Sequence, residues 1–297
     1  MNRTRSSYIS AICLTALAAA FSSAAGAETY ISATIGSGPN GFSSKAFAAN
    51  ADLFTLPLNL NLYDFKSSST KTDDVKQTSY GLDWDVAKPL RIGVKHNNLD
   101  DGTLKVSGNE AKMSFYLHKL WRSDLRTQLD LGYNASTYTP EVHPVGVNSG
   151  ELNQKKNSVG LRQAIVSSFT VYGSHDTYEY DHNPTSIAYV LILRTRNNSN
   201  AASTLLAFPD KTNALGLNWR PTESLALDIS STKTTTLLDQ EQKSNRFEAD
   251  YQITDHLNVT AAVSKATSTE LRGPNGKVVL LSATDDTYSE ITLGWAF

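Results

Sequence analysis

Asp83-Trp84-Asp85 is the nearest thing in this chain to a catalytic motif, two carboxylates one residue apart. Such a pair can divide acid and base roles when its surroundings push the two protonation equilibria apart. It adjoins the turn residues Ala87-Lys88-Pro89, however, and no histidine stands at a spacing that would complete a proton relay. The residues support two solvated carboxylates on one strand face. Asp181-His182 and Asp255-His256 are adjacent pairs whose side chains diverge on an extended chain, and neither makes a triad by spacing. Asn198-Ser199-Asn200 offers a hydroxyl among amides, without a His-x-Ser context before it. His96, His118, His143, His175, His182 and His256 show neither an i, i+2 nor an H-E-x-x-H arrangement for a metal. Gly273-Pro274-Asn275-Gly276 is turn chemistry and not a phosphate loop. The expectation is a non-enzyme that needs no cofactor.

A second set of chemical residues has a pattern. Arg91, Lys95, Lys112, His118, Arg126 and Arg162 are interleaved with apolar residues at period two. So are Asp83, Asp85, Asp130, Asp228, Arg246, Glu248 and Asp250. Period two is the signature of a strand with two unlike faces. Tyr80, Leu82, Trp84 and Val86 alternate with Gly81, Asp83 and Asp85; Leu90, Ile92 and Val94 alternate with Arg91, Gly93 and Lys95. Met113, Phe115 and Leu117 oppose Lys112, Ser114, Tyr116 and His118. Leu125, Leu129, Leu131 and Tyr133 oppose Arg126, Gln128 and Asp130. Towards the C-terminus the rows are Leu215, Leu217, Trp219; then Leu225, Leu227, Ile229; then Phe247, Ala249, Tyr251, Ile253; then Val259, Ala261, Val263. Earlier strands follow the same grammar through Ile31, Ala33, Ile35, then Phe47 to Leu53, then Leu58, Leu60 and Leu62.

These segments are separated by tight turns alternating with longer polar stretches at residues 67–76, 97–108, 138–157, 234–243 and 265–286. A sheet closed into a barrel across a membrane keeps that rhythm, with short hairpins on one side and long loops on the other. The expected fold is all-β, an antiparallel up-and-down barrel of about 14 strands, with 16 or 12 as alternatives, since single-chain barrels are even-numbered. The count turns on residues 169–211. One long strand over 159–171 with a connection at 173–185 leads to the first total. Separate strands at 170–180 and 204–208 lead to the second. Residues 186–193 are apolar on both faces, which leaves their register ambiguous.

The two ends of the sequence carry the remaining signals. Arg3 and Arg5, the apolar run of residues 9–21 and Ala25-Gly26-Ala27 have the order of a secretory signal peptide over residues 1–27, with the mature domain at 28–297. Cys13, the one cysteine, lies inside that segment, and Ile12 before it is not the small residue a lipid-attachment site requires. At the other end Ile291, Leu293, Trp295 and Phe297 share one face of an extended strand against Thr292, Gly294 and Ala296. This alternation ending on an aromatic resembles the C-terminal signal strand of bacterial outer-membrane β-barrels. The resemblance spans the chain at the level of that porin-like class and singles out no family. It implies outer-membrane lipid, the barrel-assembly machinery and periplasmic chaperones as partners in biogenesis, and an outer-membrane location. A mean hydropathy of −0.32 does not conflict, because only alternate residues would face lipid. The formal net charge of −2 becomes more negative once Arg3 and Arg5 leave, which removes any electrostatic case for nucleic acid.

Charges opposite an apolar row are tolerated only if their face is wet or paired. The functional expectation is a passive channel or solute/export pore whose lumen carries the charged residues above. The competing readings are an outer-membrane enzyme, which needs clustered His, Ser and acids at the external rim, and a structural or surface-interaction barrel acting through its loops.

Overall fold

The computed structural model describes residues 29–53, 56–70, 74–102, 104–121, 125–140, 151–184, 207–272 and 279–297. In chain order they form β1 (Thr29–Ser37), β2 (Ser43–Asp52), β3 (Leu58–Ser68), β4 (Val75–Ala87), β5 (Leu90–Asp100), β6 (Leu104–Tyr116), α1 (Leu117–Trp121), β7 (Thr127–Pro140), β8 (Leu152–Val166) and β9 (Phe169–Tyr180). There follow β10 (Pro209–Trp219), β11 (Leu225–Thr236), β12 (Glu241–Gln252), β13 (Leu257–Ser268), β14 (Leu271–Arg272), β15 (Val279–Leu281) and β16 (Thr284–Ala296). Strands β1–β13 and β16 make one closed antiparallel barrel of fourteen strands in which each pairs with its sequence neighbour. The hairpin β14–β15 stands apart from it, between β13 and β16. Closure is made by β1 against β16, from Tyr30 opposite Ala296 to Ser37 opposite Ser289. With no open edge, the strand backbones satisfy one another all the way round, the condition for crossing a lipid layer.

Directly opposed residues in an antiparallel ladder share a face, so the registers decide which side each row occupies. Leu62 opposes Tyr80 and Ala49, Trp84 opposes Ile92, Met113 opposes Leu131, and Leu131 opposes Val159. Leu217 opposes Val171 and Ile229, Ile229 opposes Phe247, and Leu293 opposes Val259 and Ala33. The apolar residues thus join into a continuous outer belt. Its large side chains are open to the surroundings, Ile35 at 60% and Leu293 at 53%. In water that surface would be unsustainable as a patch. Trp84, Trp219, Tyr251, Trp295 and Phe297 edge the belt at the end holding both termini, and Tyr80 and Tyr133 lie on the opposite side, an aromatic edging typical of membrane barrels.

The rhythm of connections departs from expectation at three places. Residues 97–108 are not a loop: β5 runs to Asp100 and β6 starts at Leu104. Likewise β11 and β12 leave only residues 237–240 between them. There the strands continue above the belt with polar residues on both faces, so the hydrophobic alternation ends before the sheet does. Between β6 and β7 the expected strand end at Leu117 and His118 is the short helix α1. Leu117-His118-Lys119-Leu120-Trp121 has none of the Gly, Asn or Asp that a two-residue hairpin requires, and these are residues a helix accepts.

The total of fourteen stands, but the partition near residue 169 differs. Residues 169–180 are the separate strand β9, the turn before it is Ser167-Ser168, and no connection spans 173–180. A register shift between Ala164 and Val166 breaks period two beside that turn. Ile165, Val166, Phe169 and Val171 therefore read as one apolar run in the sequence. Residues 186–193 and 204–206 lie outside the described residues, as do the segment 1–27, Asn198-Ser199-Asn200, His143 and Gly273-Pro274-Asn275-Gly276.

Candidate functional site

The inner face is built by the alternate positions that the outer belt leaves. Asp83, Gly93, Lys112 and Gly132 stand in one row across β4 to β7, and Asp85, Arg91, Ser114 and Asp130 in the next. Lys95 opposes Glu110, which opposes Asn134 and then Lys156 on β8. On the far side Asp228 opposes Asn218 and Glu248, while Arg246 opposes Ser230 and Asp250 opposes Ala226. These candidates share the face opposite the belt. Arg126 precedes β7 at the rim; its carbonyl accepts the Ala164 amide at 2.8 Å. His118 sits in α1, where Nδ1 contacts the Thr127 backbone.

Charge on this face is partly cancelled by neighbours. Arg91 grips Asp85 with two bonds of 2.7 Å, Nε to Oδ1 and Nη2 to Oδ2. Lys112 Nζ lies 3.4 Å from Asp130, which also accepts from Ser114 Oγ and from Gln128 Nε2 at 2.9 Å. Lys156 lies 4.0 Å from Asp176, and Arg162 stacks 5.3 Å from the Tyr172 ring centre. Lys95 is exposed and makes no ion pair among the described residues. Across the barrel the balance is different. Arg246 reaches both Glu248 (2.9 Å) and Glu290 (2.7 Å), two acids for one cation. Asp228 is held by Tyr172 Oη at 2.6 Å, and Asp250 by Asn258 and Thr260 at 2.9 and 2.7 Å, with no cation on either among the described residues. The cations gather on β5 to β8, where acids of β4, β7 and β9 hold Arg91, Lys112 and Lys156 while Lys95 and Arg162 make no ion pair among the described residues; β11 to β16 carry an excess of carboxylates.

Two tyrosines tie the wall together. Tyr172 Oη on β9 reaches over Gly216 of β10 to Asp228 on β11, and Tyr30 of β1 reaches over Gly294 of β16 to Asn258 on β13 at 3.2 Å. A Cβ at either glycine would strike the tyrosine head-on. At the external end, Tyr138, Tyr180 and Phe208 pack at ring distances of 4.7 and 5.4 Å beside the buried Leu104 and Leu152.

Glu110, Lys156, Asp176 and Glu290 were not among the expected residues. Glu110 continues the row of Lys112 and Ser114 by two positions, a signal present in the sequence. Lys156 and Asp176 fall in segments read as loop or connection. Asp181 and His182 touch at 3.1 Å because the chain bends after β9, whereas divergence had been expected of an extended chain. Asp181 also accepts from the Asn153 amide and side chain, and no nucleophile joins them among the described residues. Among the described residues no group of three or more His, Cys, Asp and Glu is placed to hold a metal.

A closed fourteen-strand antiparallel barrel with an aromatic-edged apolar belt outside and charges inside is a porin-like β-barrel of the bacterial outer-membrane class. No protein-family model matches the chain, and no curated protein matches it either. Solved structures resemble it in fold. The CymD monoaromatic hydrocarbon channel shares 10% identity over 92% of this chain and 88% of its own, with a TM-score of 0.54. Pseudomonas aeruginosa OpdO shares 7% over 91% and 96%, at 0.48; the outer membrane channel DcaP of Acinetobacter baumannii shares 7% over 92% and 96%, at 0.46. At such identities the likeness concerns the barrel alone, and of these three the first alone exceeds 0.5.

Proposed function

We propose that this protein is a passive outer-membrane channel for small polar solutes, with a lumen biased towards cations. One observation carries the proposal: the inner wall of a closed fourteen-strand barrel is largely polar and carries charges on β4 to β8, β11, β12 and β16. Eight strands close just tightly enough for side chains to fill the interior, so fourteen leave space that side chains do not occupy. Water in that space is what makes Asp228, Asp250 and the exposed Lys95 tolerable there. The cation bias follows from the carboxylate excess on β11 to β16, facing the partly neutralised β5 to β8 wall across the lumen. Such an arrangement imposes a transverse field on a permeating solute. Arg91 and Lys112 contribute less to it than their number suggests, because Asp85 and Asp130 hold them. Residues 1–27 as an export signal and Ile291, Leu293, Trp295 and Phe297 as the strand read during assembly belong to the same proposal.

The test is swelling of proteoliposomes containing the refolded barrel in isosmotic solutions of small uncharged sugars and amino acids. Swelling whose rate falls with solute size supports a channel. Swelling no faster than in protein-free vesicles, from protein verified as folded, contradicts it.

A further inference from the structure

Above the belt the outer face changes from apolar to basic, and on three neighbouring strands the bases stand directly opposite one another. Lys45 on β2 opposes Lys66 on β3, and Lys66 opposes Lys76 on β4. All three are exposed, and none makes an ion pair among the described residues. Lys66 therefore has a lysine on each side, with Cβ atoms about 5 Å apart. Like charges in direct opposition destabilise a sheet, and β-strands avoid them where nothing offsets the cost. Asp64 lies one pleat nearer the belt, opposite Phe47 and Thr78, and Asp100 opposes Lys76 on its other flank; neither pairs with the row. Elsewhere on the outer face Lys233 is answered by Glu241 and Lys265 by Asp285 at 3.0 Å, and where Lys233 opposes Lys243 the opposition involves two lysines, one of them paired. The row on β2 to β4 differs in joining three lysines with no ion pair to any of them among the described residues.

Its height is informative. Lys66 lies four residues beyond Leu62, and Lys76 four before Tyr80, on the same face. That is about 13 Å along the strand, or roughly 10 Å in height for a strand tilted near 40°. The ammonium groups stand where the headgroups of the leaflet on the loop side lie, just past the aromatic edge.

We infer that Lys45, Lys66 and Lys76 form a binding site for the phosphate of a lipid headgroup in the external leaflet, one anion shared by the three ammonium groups. The bound phosphate offsets the repulsion within the row and fixes β2 to β4 against the membrane. The inference rests on the barrel spanning a membrane and is independent of whether it conducts.

The full barrel is refolded into phosphatidylcholine vesicles with and without a fifth of phosphatidic acid, and its unfolding midpoint in denaturant is measured. The Lys66→Gln variant and the triple variant Lys45→Gln, Lys66→Gln, Lys76→Gln are compared with the parent, and Lys233→Gln with Lys265→Gln serves as a control. In pure phosphatidylcholine the triple variant should be no less stable than the parent, since repulsion is relieved. With phosphatidic acid the parent should shift upward and the triple variant should lose most of that shift, so that their order reverses, while the control keeps it. Added salt should shrink the parent's gain. An equal shift in parent and triple variant overturns the inference, and so does an equal shift from inorganic phosphate in pure phosphatidylcholine, which would point to a free anion. Should the triple variant fold poorly, counting phosphatidic acid retained on detergent-solubilised parent and Lys66→Gln barrels by native mass spectrometry decides; equal retention overturns the inference.

Discussion

Leu217→Arg and Asn218→Arg place the same guanidinium on the two faces of one strand, one residue apart. Leu217 is 40% exposed and flanked on its own face by Leu215 and Trp219 along β10, and by Val171 and Ile229 across the sheet. Following its row across the sheet, the polar ends are Gln163 on β8 and Ser289 on β16, so Leu217 sits well inside the apolar zone. An arginine at the middle of the lipid-facing surface costs about 2–4 kcal/mol. That is a factor of roughly 30 to 900 in the folding equilibrium. Asn218 points the other way and already donates to Asp228 at 3.4 Å. An arginine there meets a carboxylate that has no cation among the described residues, and a solvated pair of this kind contributes between 0 and about 1 kcal/mol, with a favourable sign. Denaturant unfolding of both variants in phosphatidylcholine vesicles, followed by tryptophan fluorescence, measures the difference. Equal destabilisation at the two positions would show that the faces are misassigned or that the sheet does not lie in lipid.

If the last strand is the one read during assembly, removing Phe297, or replacing it with Ser, should lower the yield of heat-modifiable folded barrel by far more than one exposed side chain explains, and the deletion should cost more because it also removes the amide that closes onto the Thr29 carbonyl at 2.9 Å; unchanged yield contradicts this. Gly216→Val should drive Tyr172 off Asp228 and lower the unfolding midpoint, whereas the same change combined with Tyr172→Ala should restore much of it. The Arg91→Gln, Lys95→Gln, Arg126→Gln triple should move the reversal potential under a salt gradient towards cations, with Lys95 contributing most; an unmoved potential defeats a lining role for these residues. Beyond the external end of β9, desolvation would raise the Asp181 carboxyl, but bonds from the Asn153 side chain and amide and from His182 outweigh it and lower it to about 2. A depressed carboxyl stabilises the folded form above its ordinary value near 3.9 and loses that contribution as pH falls towards about 2. Exchange at the Asn153 amide should therefore quicken between those values in the parent and be pH-independent over that window, relative to its neighbours, in Asp181→Asn.

How far the sequence discloses this barrel depends on where its strands are wet. Within the belt each strand has lipid on one side and water on the other, so Tyr80 to Val86, Phe247 to Ile253 and Ile291 to Phe297 alternate cleanly and their register is legible. Above the belt both faces are polar, period two disappears, and residues 97–108 read as a loop although β5 and β6 continue through most of them. Near residue 165 a bulge beside a two-residue turn interrupts the alternation, which concealed the boundary between β8 and β9. The inner face was legible as a set of charged residues. Its pairing was not: whether Lys112 finds Asp130, or Arg246 finds Glu290 on β16, depends on cross-strand registers that no local pattern encodes. The lysine row on β2 to β4 was hidden for the same reason, since Lys45, Lys66 and Lys76 become neighbours only when three strands align.

Single-channel recording of the purified, refolded barrel in a planar bilayer puts the central claim to the most direct test. The account predicts discrete conductance steps and, under a gradient of potassium chloride, a reversal potential of the sign that marks cation preference. A barrel shown to be folded and inserted that gives no steps, or that prefers chloride, contradicts it.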